Sequence, residues 1–179
     1  IVISISDKVV TVRDYGRGIP LDSLIVAASK MNTGAKYDNK AFKKSVGLNG
    51  VGIKAVNALS IDFKIQSYRD RESQMARFSK GILTEQERVL TSEKNGTLVT
   101  FLADEELFGN YIFNYEFIET MLRNYSYLNS GLLIKFDGKE FISKNGLLDL
   151  LNETLVKEPL YPPIYLKGDD IEIAITHGN

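Results

Sequence analysis

The sequence predicts an α+β fold in which strands are joined mainly by hairpins and a few short helices lie between them. Three observations predict it. Alternating or β-branched runs recur at 1–13, 63–68, 75–78, 97–102 and 132–142. Only the windows near 21–29, 52–60, 114–128 and 147–155 carry helical character. Successive strands are divided by turn residues more often than by helices, which argues against a doubly wound parallel sheet.

The elements follow in order. Residues 1–13 read as a hairpin with Asp7-Lys8 at its turn. Asp14-Tyr15-Gly16-Arg17-Gly18-Ile19-Pro20 interrupts it. Residues 21–29 then form a short helix with Leu24, Ile25 and Ala28 on one face. Residues 30–50 are polar and glycine-containing, and a loop of that length in a compact domain is usually functional. A small, apolar helix follows at 52–60. Strands are expected at 63–68, 75–78, 88–90 and 97–102. Asn114 reads as the N-cap of a helix reaching about 128, with Phe117, Met121, Tyr125 and Leu128 on one face. Asp137-Gly138 joins 132–136 to 139–142 as a type I′ hairpin. A short helix follows at 147–155. Pro159, Pro162 and Pro163 end helical structure, and 171–175 alternates like a strand. No internal repeat or low-complexity tract occurs.

Composition narrows the chemistry. The 179 residues are 44% hydrophobic and 25% charged, with a formal net charge of −1, an ordinary globular balance and no general affinity for nucleic acid. The chain has no cysteine, which excludes disulfides, Cys-ligated zinc and thiol nucleophiles. With His177 the single histidine, a His-based triad or multi-His metal site is not expected. No apolar run approaches the roughly 18 residues of a membrane span. The sequence begins and ends within strand-like runs, so it reads as part of a longer polypeptide.

Three clusters carry candidate chemistry. Asp14-x-Gly16-x-Gly18 follows a strand. A carboxylate there can accept from an exocyclic amine, and the glycines let backbone approach a ligand. Alone, the same pattern makes an ordinary turn. Gly47-Leu48-Asn49-Gly50-Val51-Gly52 runs into a helix, so its backbone N–H groups suit phosphate. Lys36, Lys43 and Lys44 lie just upstream. The other reading of that stretch is a solvated surface loop. Asn95-Gly96-Thr97 opens a strand, where the Thr hydroxyl can bridge to a carboxylate or a base edge. There is no Gly-x-x-x-x-Gly-Lys-Ser/Thr, so any nucleotide is held without a P-loop.

Taken together and in this order, the clusters resemble the GHKL ATPase superfamily. Val12 to Pro20, Ser45 to Gly52 with Val56-Asn57-Ala58-Leu59-Ser60, and Gly96-Thr97-x-Val99-x-Phe101 are similar to the motifs of gyrase and topoisomerase IV B subunits. The likeness covers nearly the whole chain. It implies a two-layer sandwich, with a mixed, mostly antiparallel sheet and helices on one face. It also implies a division into an ATP-binding domain at 1–158 and, at 159–179, a linker with the first strands of a transducer domain.

The resemblance implies roles residue by residue. Asp14 would accept from the adenine amino group, partly through water, and Thr97 would support Asp14 and that water. Val12, Ile19, Pro20 and Val99 would line the adenine pocket, and Gly16 and Gly18 would let the base approach. Gly47, Leu48, Asn49, Gly50, Val51 and Gly52 would wrap the phosphates, with Lys36 and Lys43 facing them. Arg17 and Arg69 would lie at the pocket mouth, where competitive inhibitors also bind. Tyr15, Ala35, Val46 and Asn49 depart from residues common in relatives and suggest a distinct lineage.

The likeness further implies that the catalytic Glu and an Mg²⁺-holding Asn lie upstream of Ile1, and a phosphate-sensing Lys beyond Asn179. No catalytic base and no metal ligand are therefore assigned within the chain, and the chain alone is expected to bind ATP without turning it over. ATP binding would dimerise two B subunits around a DNA gate in a cytoplasmic enzyme. The A subunit and DNA, held by other domains, would be its partners, and supercoiling and decatenation are not distinguished. Rival readings are a chaperone, mismatch-repair or histidine-kinase relative of the same superfamily, or a non-catalytic nucleotide-binding or dimerisation module. A third is direct DNA binding through Lys30, Lys36, Lys40, Lys43 and Lys44.

Overall fold

In the computed structural model the described residues are 1–30, 51–169 and 171–178. They divide into two compact units, Val2–Ile112 and Phe113–Asn179, with Ile1 counted in the second.

The first unit opens on the expected hairpin, β1 (Val2–Ser6) and β2 (Val9–Arg13). Asp7 and Lys8 between them have φ of 46° and 69°. Such paired left-handed values match the twist of flanking strands in a type I′ turn. β3 (Ser60–Arg69), β4 (Glu72–Ser79), β5 (Ile82–Leu90) and β6 (Gly96–Ala103) follow. Their order across the sheet is β5-β4-β3-β6-β2-β1. Every neighbouring pair in that series is antiparallel. Sequence patterning marks only 88–90 of β5. The rest lacks apolar alternation because β5 is an edge strand exposed at every position, so its ladder to β4, not burial, defines it.

A 3₁₀ turn at Leu21–Ser23, α1 (Leu24–Ser29) and α2 (Gly52–Ala58) cover one face of these strands. Alternation along β3 turns Phe63 and Ile65 toward them. Leu24, Ala28, Phe63, Ile65, Ala76 and Phe78 form the buried cluster, edged by Ile19, Ile53, Val56 and Val99. The Phe63 and Phe78 rings meet edge-on, with centroids 6.0 Å apart. The fold is thus α+β with a mostly antiparallel sheet and a helical layer. α3 (Glu105–Phe108) has no counterpart in the sequence reading. It is a single turn, capped by Asp104 Oδ1, which accepts from the Glu106 amide at 3.1 Å.

The second unit contains α4 (Tyr115–Leu128), β7 (Ile134–Phe136), β8 (Lys139–Phe141), α5 (Leu147–Thr154), β9 (Ile164–Lys167) and β10 (Glu172–Ile175). Asn114 caps α4 as expected, its Oδ1 accepting from the Phe117 amide at 3.0 Å. The apolar stripe read from the sequence, however, is the outer face. Phe117 and Leu128 are each 63% exposed, whereas Leu122, Ser126 and Tyr127 are buried. Asp137-Gly138 turns β7 into β8, and the β9–β10 hairpin follows the proline-rich stretch.

Candidate functional site

The site is assembled where β2 ends. The Asp14 amide donates to the Thr97 carbonyl at 2.9 Å, which fixes the acid against the start of β6. Asp14 Oδ1 accepts from the Gly16 amide at 2.8 Å, a local turn that orients the carboxylate. Among the described residues no donor reaches Oδ2. One carboxylate oxygen is thereby used for orientation, and the other is left for a donor that is not part of the turn.

The glycine turn is held from beneath. Gly18 has φ of +75°, and a Cβ there would lie 2.6 Å from the Tyr68 carbonyl oxygen. Only glycine fits both the dihedral and the gap. Ser67, fully buried in β3, donates to the Ile19 carbonyl at 2.7 Å. Ser67 stands opposite Thr97, Ile65 opposite Val99, and Val99 opposite Val12. These positions share the inner face of the sheet, and Ile19 and Val99 pack on the core beside Ile53 and Val56 of α2. The structure therefore groups Val12, Asp14, Gly16, Gly18, Ile19, Thr97 and Val99. The direct link between Asp14 and Thr97 runs through backbone.

Pro20 is exposed and leads into the 3₁₀ turn. Arg17 is exposed. Arg69 is half-buried, with Nε 3.4 Å from Asp70 Oδ2. Val51 and Gly52 are exposed at the start of α2. Lys36, Lys43, Gly47, Leu48, Asn49 and Gly50 lie outside the described residues.

Other residues beside the site have no role in the sequence reading, although Arg13, Tyr15 and Asn57 fall within its motifs. Arg13 lies between the rings of Tyr15 and Tyr68, with its guanidinium carbon 4.7 and 4.5 Å from their centroids. Burial pushes the Tyr68 hydroxyl above its ordinary pKa, against the lowering effect of the Arg13 charge. Asn57 Nδ2 donates to the Ala28 carbonyl at 3.0 Å and ties α2 to the end of α1. Arg13 and Tyr68, like Asn57 and Ala28, are far apart in sequence, so no spacing pattern connects them. A cleft of about 550 Å³ opens beside Tyr15 and is lined by Ser92, Glu93 and Lys94. Among the described residues, no group of three or more His, Cys, Asp or Glu side chains is arranged to hold a metal. No helix among them is long and apolar enough to cross a membrane.

The chain is 47% identical over 174 residues to the B subunit of DNA topoisomerase 4 from Borreliella burgdorferi, a match covering 97% of the chain. It is 35% identical over 191 residues to the B subunit of DNA gyrase from Thermus thermophilus, covering 96% of the chain. The chain belongs to the family of type II DNA topoisomerase B subunits. It spans 29% and 30% of the lengths of these two relatives. Among solved structures it is similar to the gyrase B ATPase domain of Thermus thermophilus in complex with an aminocoumarin. That likeness has a TM-score of 0.75 and 30% identity, and covers 93% of this chain and 47% of that one. The topoisomerase IV ATP-binding domain of Francisella tularensis shares the fold, with a TM-score of 0.73 at 23% identity, covering 94% of this chain and 50% of that one. No family model matches the chain.

Proposed function

We propose that this B-subunit segment is a nucleotide-reading domain that takes ATP, and that in the whole protein ATP binding and hydrolysis drive DNA strand passage. The observation that carries the reading is the Asp14 carboxylate. One oxygen is fixed by the Gly16 amide, and the other accepts from no donor among the described residues. An acceptor so oriented selects a base that presents an amino group, as adenine does. Val12, Ile19, Pro20 and Val99 supply the apolar lining. Phosphate contact is assigned to Val51 and Gly52 and, outside the described residues, to Gly47, Leu48, Asn49, Gly50, Lys36 and Lys43, and the rim to Arg17 and Arg69.

Two similar domains would dimerise on ATP, with an A subunit and DNA as further partners in the cytoplasm. The bound Mg²⁺ would neutralise phosphate charge. The described residues offer it no acidic cluster, so no step is assigned to it. Residues 1–158 are assigned to the ATP-binding domain. Residues 159–179 are assigned to a linker and the opening strands of the next domain, in keeping with the hairpin after Pro163.

The test is calorimetric titration with a non-hydrolysable ATP analogue, followed by competition with an aminocoumarin. Asp14→Asn introduces donors where an acceptor is needed and should weaken the analogue at least about tenfold, with the melting temperature nearly unchanged. Equal binding by the variant and the parent chain would exclude Asp14 as the base reader.

A further inference from the structure

Behind the carboxylate, on the outer face of the sheet, lies an arginine that the roles above leave unused. Arg13 stands opposite Leu98, and Tyr68 opposite Gly96, so both point away from the core. Arg13 Nη1 donates to the Asp14 carbonyl at 2.5 Å, and Nη2 donates to the Lys94 carbonyl at 2.6 Å. The guanidinium thus bridges the turn that carries the acid and the turn that leads to Thr97. Tyr15 and Tyr68 flank it, which fits the planar, weakly hydrated character of the group.

Gly96 completes the arrangement. Its φ is +140°, and a Cβ there would overlap both the Asp14 carbonyl and Arg13 Nη1. The close approach of strand and turn therefore depends on glycine at 96 and on the guanidinium at 13. Asp14 is held at its amide by Thr97, at its carboxylate by Gly16 and at its carbonyl by Arg13. The first two are common turn and sheet contacts. The third comes from a side chain that must be long, planar and doubly donating.

We propose that Arg13 is a positioning residue for base selection, locking the Asp14 turn to the Lys94–Thr97 turn so that the free carboxylate oxygen keeps one direction. The role rests on the nucleotide reading above. Arg13 does not touch the ligand. Its contribution appears as discrimination between a 6-amino and a 6-oxo purine, because a carboxylate free to swing accepts from a displaced donor or from water almost equally well.

The experiment uses the 179-residue chain with Arg13→Met, Arg13→Lys, Asp14→Asn and the Arg13→Met/Asp14→Asn pair. Affinities for ATP and inosine triphosphate are measured together with hydrogen exchange of the Asp14 amide. In Arg13→Met the preference for ATP should fall about tenfold and the Asp14 amide should exchange faster, while core amides such as Phe63 are unchanged. Arg13→Lys, which keeps the charge and can reach one carbonyl, should restore part of the preference. The double variant should lose no more than Asp14→Asn alone. Unchanged exchange with unchanged discrimination, or losses that simply add, would overturn the positioning role and leave the nucleotide reading standing. A parent chain that fails to distinguish the two nucleotides, with Asp14→Asn silent, would overturn the nucleotide reading and this role with it.

Discussion

At the scale of single residues, the site depends on backbone geometry as much as on side chains. Gly18→Ala should destabilise the first unit by more than about 2 kcal/mol, since left-handed φ and contact with the Tyr68 carbonyl act together. Urea titration measures it, and a loss below about 0.5 kcal/mol would contradict the close approach. Asp149 offers a pH test. The Asn145 amide, the Ser143 hydroxyl and the Asn145 side chain hold its carboxyl down to about 2. Its folded value lies below its unfolded one, so its stabilisation is complete above the unfolded range near 4 and disappears as pH falls toward about 2. Acid unfolding of Asp149→Asn should therefore be shallower than that of the parent between about pH 5 and 2. Asp14, Gly16, Gly18 and Thr97 are legible in sequence because glycine spacing records backbone demands. Arg13 lies in the same motif, but its role is not legible, because its partners Tyr68 and Lys94 reach it only through strand pairing.

At the scale of elements, turns and caps are the most readable features. Asp7-Lys8, Asp137-Gly138 and the Asn114 cap each encode local geometry in local residues. The buried side of α4 is illegible for the converse reason. Helical spacing marks a stripe through Phe117, Met121, Tyr125 and Leu128, but the neighbours of a helix decide which stripe is covered. Here they cover Leu122, Ser126 and Tyr127. The β3–β4 turn carries a cost of its own. Asp70 and Arg71 both adopt left-handed φ, 55° and 68°, without glycine. Arg71→Gly should raise stability by about 1 kcal/mol, visible as a higher melting temperature. Lys8→Gly should show less gain, because Lys8 Nζ also bonds Glu105 and Asn110. Equal gains at both turns would show that the Lys8 contacts contribute nothing.

At the scale of the whole molecule, the mixed sequence of strands and helices suffices for the fold class. It does not suffice for the order β5-β4-β3-β6-β2-β1, because inserting β6 between β3 and β2 is a long-range choice no local pattern encodes. Charge belongs to this scale as well. With a net charge of −1, the chain should bind duplex DNA no more tightly than about 10⁻⁴ M at roughly 0.15 M salt. A fluorescence titration showing much tighter, steeply salt-dependent binding would assign DNA contact to the domain itself.

The outermost strand has a practical consequence. Every position of β5 faces solvent on an edge remote in sequence from Asp14, and the chain contains no sulfhydryl of its own. Gln86→Cys would therefore create the sole site for maleimide coupling. A dye or spin label attached there could follow the first unit as nucleotide binds, with the base-reading turn left chemically untouched.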